Sequence, residues 1–165
     1  MNKKIICLLL FACVSSTAFC QDLTTFILVR HAEKANDGTR NPPLNQAGYE
    51  RAENLAALLQ NQQATALYST PYTRTEETLK PIADKQKLQI ASYDPRAGEE
   101  WLAELLVKHA GGTVVISGHS NTIPGLANKL LGEERFAQFD ESEYSNLIII
   151  VSEEIGKSKL IRLSF

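Results

Sequence analysis

Three short and almost wholly apolar runs, "FILV" (26–29), "TVVIS" (113–117) and "LIIIV" (147–151), constrain this chain more than anything else in it. A strand that alternates apolar and polar residues can leave one face in water. These runs cannot, so the sheet they build must be covered on both faces. Six strand segments are expected: Thr25–Val29, Ala66–Tyr68, Leu88–Tyr93, Thr113–Ser117, Asn146–Val151 and Lys159–Leu163. Helical patterns separate the early ones. Asn45 caps a helix running to Gln60, with Ala52, Leu55, Ala56 and Leu59 on one stripe. A second helix spans Arg74 to Lys87, where Pro81 predicts a kink or a restart. A third runs from Glu99 to His109 and stops at Gly111-Gly112; a fourth runs from Thr122 to Leu131, with Pro124 in its first turn and Gly132 at its end. Strands alternating with helices predict a single three-layer α/β/α domain with a mostly parallel central sheet. The last two strands are joined by too little chain for a crossover, so they are expected to form an antiparallel hairpin at an edge. No repeat, low-complexity linker or second domain is visible.

The first twenty residues read differently. "MNKKIICLLLFACVSSTAFC" has two lysines, an apolar run from Ile5 to Val14 and then small residues. This is the layout of a signal peptide, and its apolar run is short of the ~20 residues a membrane span requires. Cleavage after Ala18 or Cys20 is expected, leaving 21–165 as an exported, periplasmic or secreted domain. An uncleaved anchor and a lipid-modified cysteine are the alternatives. All three cysteines, Cys7, Cys13 and Cys20, fall within this leader, so the remaining domain offers no cysteine nucleophile or thiolate metal site. About 145 residues bury an adequate core without disulfides. Loss of Lys3 and Lys4 shifts the formal charge from −2 to −4, which leaves no electrostatic footprint for a nucleic-acid partner.

Open parallel sheets bind ligands outside the carboxyl ends of their strands, and the strand ends here share one chemistry. The first strand runs into Arg30 and His31 without a spacer. The second ends in "LYSTPYTRTEET", which puts Ser69 at the strand end and Arg74 at the start of a helix. The fourth ends in "VVISGHSNT", which puts His119 just before another helix. Two guanidiniums, two imidazoles and a helix N-terminus converging on one crevice would form an anion site.

These residues resemble the histidine phosphatase superfamily, also called the phosphoglycerate mutase-like family. "LVRHAEK" is similar to its Arg-His-Gly signature, with Ala32 at the glycine position. "PLNQAGYERA", "YSTPYTRTEET" and "VISGHSN" resemble the later segments in the same order. The resemblance implies that His31 attacks phosphorus and forms a phosphohistidine, while Arg30, Arg74 and His119 hold the phosphoryl oxygens. The chemistry agrees. A neutral imidazole is a usable nucleophile near neutral pH, and a phosphate dianion needs gathered positive charge before it is attacked. No metal or cofactor is required. The family's general acid follows the third strand. "SYDPRAGEEW" offers Asp94, Glu99 and Glu100 there, with Asp94 favoured because it follows the strand directly. The segment departs from the family's usual pattern, and weak leaving-group assistance would favour phosphoramidates or anhydrides. Ser69 and Asn36 are further candidates for substrate contact. Glu33, Lys34, Arg40 and Arg96 are either rim groups or surface charges.

Other readings are weaker. The two histidines have no third ligand at metal spacing, and the arginines would repel a cation. His109 sits near a helix C-terminus, where the dipole accounts for it. The expected substrate is a phosphorylated small molecule or phosphoprotein. The alternatives are a non-catalytic phosphoryl-ligand binding protein and a mutase-type phosphoryl transferase. Oligomeric state is not encoded legibly.

Overall fold

The computed structural model describes residues 22–165, so the leader segment, and with it the export reading, lies outside the described residues. Ten elements follow in order: β1 (Thr24–Arg30), α1 (Gln46–Leu58), β2 (Ala66–Ser69), α2 (Thr73–Gln86), β3 (Ile90–Ser92), α3 (Glu99–Lys108), β4 (Thr113–Gly118), α4 (Thr122–Leu131), β5 (Asn146–Glu154) and β6 (Lys157–Ser164). The six strands form one sheet in the order β3-β2-β4-β1-β5-β6. Strands β1 to β4 run parallel where they pair; β5 is antiparallel to β1 and β6 to β5. The expected edge hairpin is therefore present, and β5 continues the sheet beside β1.

The apolar runs divide by their period of two. Phe26 and Leu28 of β1, Val114 and Ile116 of β4, and Ile148 and Ile150 of β5 face a layer made by α3 and α4 through Leu102, Leu105, Ile123, Leu126 and Leu130. Ile27, Val29, Val115 and Leu147 face the opposite layer, where Leu55, Ala56, Leu79, Ile82 and Ala83 of α1 and α2 pack. Both faces of the central strands are thus sealed, which accounts for the scarcity of polar residues in these runs.

Two boundaries differ from the sequence reading. Helix α2 passes through Pro81 without a restart. The proline removes one N–H donation, but burial of Leu79, Ile82 and Ala83 against the sheet holds the turn on either side. Strand β3 is also shorter than expected. Lys87 takes a left-handed conformation (φ 56°) at the end of α2, and the Leu88 N–H donates to the Ala83 carbonyl, so these residues belong to the helix exit.

The strand order is what makes a site. The ends of β2, β4 and β1 lie side by side, with Ser69 beside Ser117 and Arg30 beside Gly118. Residues far apart along the chain therefore leave the sheet at neighbouring points.

Candidate active site

His31 leaves β1 with its main-chain N–H on the Gly118 carbonyl (2.8 Å), so the first strand end is stitched directly to the fourth. The residue is 4 % exposed. The Nδ1–H donates to the carbonyl of Ala32 at 2.8 Å, which fixes the tautomer and leaves Nε2 with a free lone pair. Burial, followed by the charges of Arg74 and Arg30, lowers the His31 pKa to about 3, against the opposing pull of the Ala32 carbonyl. The imidazole is therefore neutral throughout the physiological range and can act as a nucleophile.

The loop that carries it is held on three sides. Ala32 donates its N–H to Thr78 Oγ1 (2.9 Å), and the same hydroxyl donates to the Arg74 carbonyl (2.7 Å), tying the nucleophile loop to the first turns of α2. Glu33 forms a forked pair with Arg51 of α1, with its shortest contact at 2.7 Å. Asn45 caps α1 by accepting from the Gly48 N–H. Gly48 has to be glycine, because a side chain there would overlap the carbonyl oxygen of Glu33.

His119 stands across from His31, with ring centroids 5.5 Å apart. Its tautomer follows from a chain of hydroxyls. Thr75 Oγ1 donates to the Thr70 and Tyr72 carbonyls, so it accepts from Thr70 Oγ1, which must in turn accept from His119 Nε2–H (3.0 Å). Nδ1 is left as the lone-pair nitrogen, 3.4 Å from Arg74 Nη2. Burial, then the charges of Arg74 and Arg30, lowers this histidine's pKa to about 4. The ring of Tyr72 lies edge-on to His119 (4.9 Å between centroids) and beneath the Arg74 guanidinium (4.6 Å), forming one wall.

The two arginines are used differently. Arg30 is 1 % exposed, and its Nη1 donates to the carbonyls of Asp140, Glu141 and Glu143 at 2.8–3.1 Å. Its Nη2 donates to Glu141 Oε2 (3.0 Å), and Tyr144 covers its face at 4.2 Å. Its Nε is buried and has no partner. The Nε of Arg74 is likewise buried and unpaired. Each guanidinium therefore has an Nε–H without a protein partner, and an Nε–H beside an Nη2–H fits two oxygens of a phosphate. Burial, and the nearby charge of Arg30, also push the Arg74 pKa below its ordinary value.

The fold thus brings Arg30, His31, Arg74 and His119 together, and it leaves the remaining candidates elsewhere. Ser69 is buried, but its hydroxyl donates to the Thr70 carbonyl (2.9 Å); the neighbouring Thr70 is the residue that reaches His119. Asn36 is exposed. Asn41, passed over in the sequence, instead accepts from the Thr73 N–H (3.0 Å) and so caps the start of α2. Asp94, favoured as the general acid, forms an ion pair with Arg96 at 2.8 Å on an exposed turn. The Arg96 side chain and main-chain N–H lower its pKa to about 2, the opposite of what a proton donor at neutral pH requires. Glu99 and Glu100 stay in the first turn of α3 with Trp101, Glu104 and Lys129 around them. His109 accepts or donates at Tyr68 Oη (3.0 Å), away from the crevice. The carboxylate in contact with the cradle is Glu141, on the turn between α4 and β5. No sequence motif marked it; only its place beside Arg30 does.

The comparisons with known proteins fit this arrangement. The sequence model of the histidine phosphatase superfamily (branch 1) matches residues 26–96. Among solved structures, the protein histidine phosphatase SixA complexed with tungstate superposes with a TM-score of 0.70 at 18 % identity, covering 85 % of this chain and 96 % of that one. A candidate phosphohistidine phosphatase SixA from Agrobacterium tumefaciens gives 0.63 at 23 % identity, covering 86 % and 98 %. A mycobacterial glucosyl-3-phosphoglycerate phosphatase gives 0.69 at 15 % identity, covering 84 % and 97 %. At these identities the superpositions speak for the fold. A comparison with curated protein sequences finds no match.

Proposed function

From a chain whose residues 26–96 match the model of the histidine phosphatase superfamily, we propose a metal-independent phosphatase that hydrolyses a phosphomonoester, phosphoramidate or phosphoanhydride through a phosphohistidine on His31. One observation carries this reading: a buried Arg30 and a half-buried Arg74, each with a buried and unpaired Nε–H, flank a neutral imidazole whose tautomer frees Nε2. Positive groups buried without a counter-charge are costly, and a bound anion removes that cost.

The phosphoryl group sits against the Nε–Nη2 edges of Arg30 and Arg74. The arriving dianion raises the pKa of His119, whose Nδ1 then donates a hydrogen bond to a phosphoryl oxygen. His31 Nε2 attacks phosphorus in line with the leaving group; the P–N bond forms as the bond to the leaving atom breaks. The Ala32 carbonyl steadies the positive charge that develops on the ring through Nδ1–H. Water then attacks the phosphohistidine, releasing inorganic phosphate and restoring neutral His31. Guanidiniums so close to the imidazoles disfavour a divalent cation, and no step uses one.

The substrate class follows from the same reading. Asp94 is held as a carboxylate, so phosphoramidates, anhydrides and aryl phosphates, whose leaving groups need little help, should be the better substrates. The likeness to SixA supports phosphohistidine as one to test. We also place the active domain outside the cytoplasm after loss of the leader.

The test is rapid-quench labelling of the protein with ³²P-phosphoramidate in the presence of EDTA. An acid-labile, base-stable label on His31 that forms in a burst and turns over is expected. Label that never hydrolyses would support phosphoryl transfer or dead-end binding, and no label would support the binding-protein alternative.

A further inference from the structure

With Asp94 committed to Arg96, the crevice has one other carboxylate in contact with its cationic groups. We propose that Glu141, held at the mouth by Arg30 and Ser120, is the proton carrier of the reaction. It would donate to the departing oxygen in the first half and accept from the attacking water in the second. The inference rests on the phosphatase reading above and adds a residue to it.

Position is the first argument. Glu141 Oε2 accepts from Arg30 Nη2 at 3.0 Å, and Oε1 accepts from Ser120 Oγ at 2.8 Å, one residue beyond His119. Among the described residues, the other carboxylates near the nucleophile loop are engaged elsewhere. Glu33 is with Arg51, and Glu77 is with the Leu44 N–H and Tyr49. The turn bearing Glu141 is anchored by Arg30 itself, through the carbonyls of Asp140, Glu141 and Glu143 and the ring of Tyr144. A carboxylate on that turn has the phosphate-holding guanidinium as its reference point.

Exposure is the second argument. The Glu141 side chain is 68 % exposed, although its partner Arg30 is sealed, so it exchanges protons with water and has room to swing.

Charge is the third. In the resting protein the Ser120 hydroxyl, and then the charges of Arg30 and Lys34, hold the Glu141 pKa below its ordinary value. Asp140 beside it, and Arg74 and His119 across the crevice, complete its charged surroundings. A dianion seated on the Nε–Nη2 edge of Arg30 shares Nη2 with Glu141 and puts two negative charges next to it, which reverses the direction of the shift and favours proton uptake from solvent. The neutral acid then protonates the leaving oxygen as the P–O bond breaks and His31 Nε2 bonds to phosphorus, yielding the alcohol. The resulting carboxylate accepts a proton from the water whose oxygen attacks phosphorus. The P–N bond breaks, inorganic phosphate leaves, and Glu141 returns to its acid form.

The experiment compares kcat/KM for wild type and Glu141→Gln over phosphomonoesters ranging from nitrophenyl to alkyl leaving groups, with His31 labelling measured in parallel. The amide keeps the size of the side chain and its acceptor oxygen. Glu141→Gln is expected to lose about 100-fold on alkyl esters and less than about threefold on nitrophenyl phosphate, with His31 still labelled by the latter. Equal losses across the series, no loss at all, or the same leaving-group signature in Asp94→Asn would overturn the assignment. Those outcomes with His31 labelled in wild type reject Glu141 alone; no label on wild-type His31 rejects the phosphatase reading with it.

Discussion

The carboxyl ends of β4 and β3 each present an ionisable group just past the sheet, yet the two places differ in their physical surroundings. At β4, His119 is flanked by the ends of β1 and β2, its Nε2–H is fixed by Thr70, and it faces Arg74 across buried space. At β3, an edge strand, Asp94 and Arg96 neutralise one another in water, 52 % and 89 % exposed. Position in the sheet decides the outcome. An interior strand end has neighbours on both sides, so polar groups there can be desolvated and left short of partners. An edge strand end reaches solvent, and opposite charges two residues apart simply close on each other. Reactivity collects where the fold withholds a counter-charge.

The sharpest way to break this contrast is at His31. His31→Ala should cut turnover by at least about 10³-fold while leaving the fold intact, checked by steady-state kinetics beside circular dichroism. Near-normal turnover would remove the nucleophile and the meaning of the buried cluster. Arg74→Ala comes next, with an expected loss of about 10²–10³ in kcat/KM, and Arg74→Lys should recover only part because an ammonium cannot supply the forked edge. Full recovery by lysine would reduce Arg74 to a point charge.

A third measurement uses pH. His31 and His119 have pKa values of about 3 and about 4 in the folded protein, below the ordinary imidazole value. Between those values and about 6.5 the unfolded chain binds more protons than the native one, so stability should fall as pH falls through that window. Urea titrations from pH 7 to 4 should show the decline, and His119→Gln should make it shallower; an unchanged slope would mean that this imidazole is not sequestered. The smallest effect is expected at the other strand end: Asp94→Asn should alter kcat/KM by less than about threefold, with a thermal midpoint close to wild type. A large kinetic loss there would show that the edge turn joins the crevice during turnover.

These contrasts also mark how far the sequence could be read. Apolar runs and capping residues located the strands and helices, because burial on two faces and an Asn45 cap leave local marks. Arg30, His31, Arg74 and His119 were legible for the same reason: each follows an apolar strand end within a few residues. The proposed proton carrier was not. Its expected location came from linear position after β3, whereas the effect of Arg96 on Asp94 and the approach of Glu141 to Arg30, 111 residues away, depend on tertiary geometry. Ser69 and Thr70 illustrate the same limit at short range, since only the backbone path decides which of two adjacent hydroxyls turns toward His119.

The three carbonyls that Arg30 gathers from residues 140–143 have a consequence for biosynthesis. A growing chain carries Arg30 long before the turn that cradles it has been translated. Until that late segment docks, the guanidinium has neither its carbonyl seat nor Tyr144 above it, and sealing it in the interior would be prohibitive. Catalytic competence should therefore arrive abruptly, with about the final sixth of the polypeptide, and nascent fragments ending before residue 140 should be inert even where their helices have already formed.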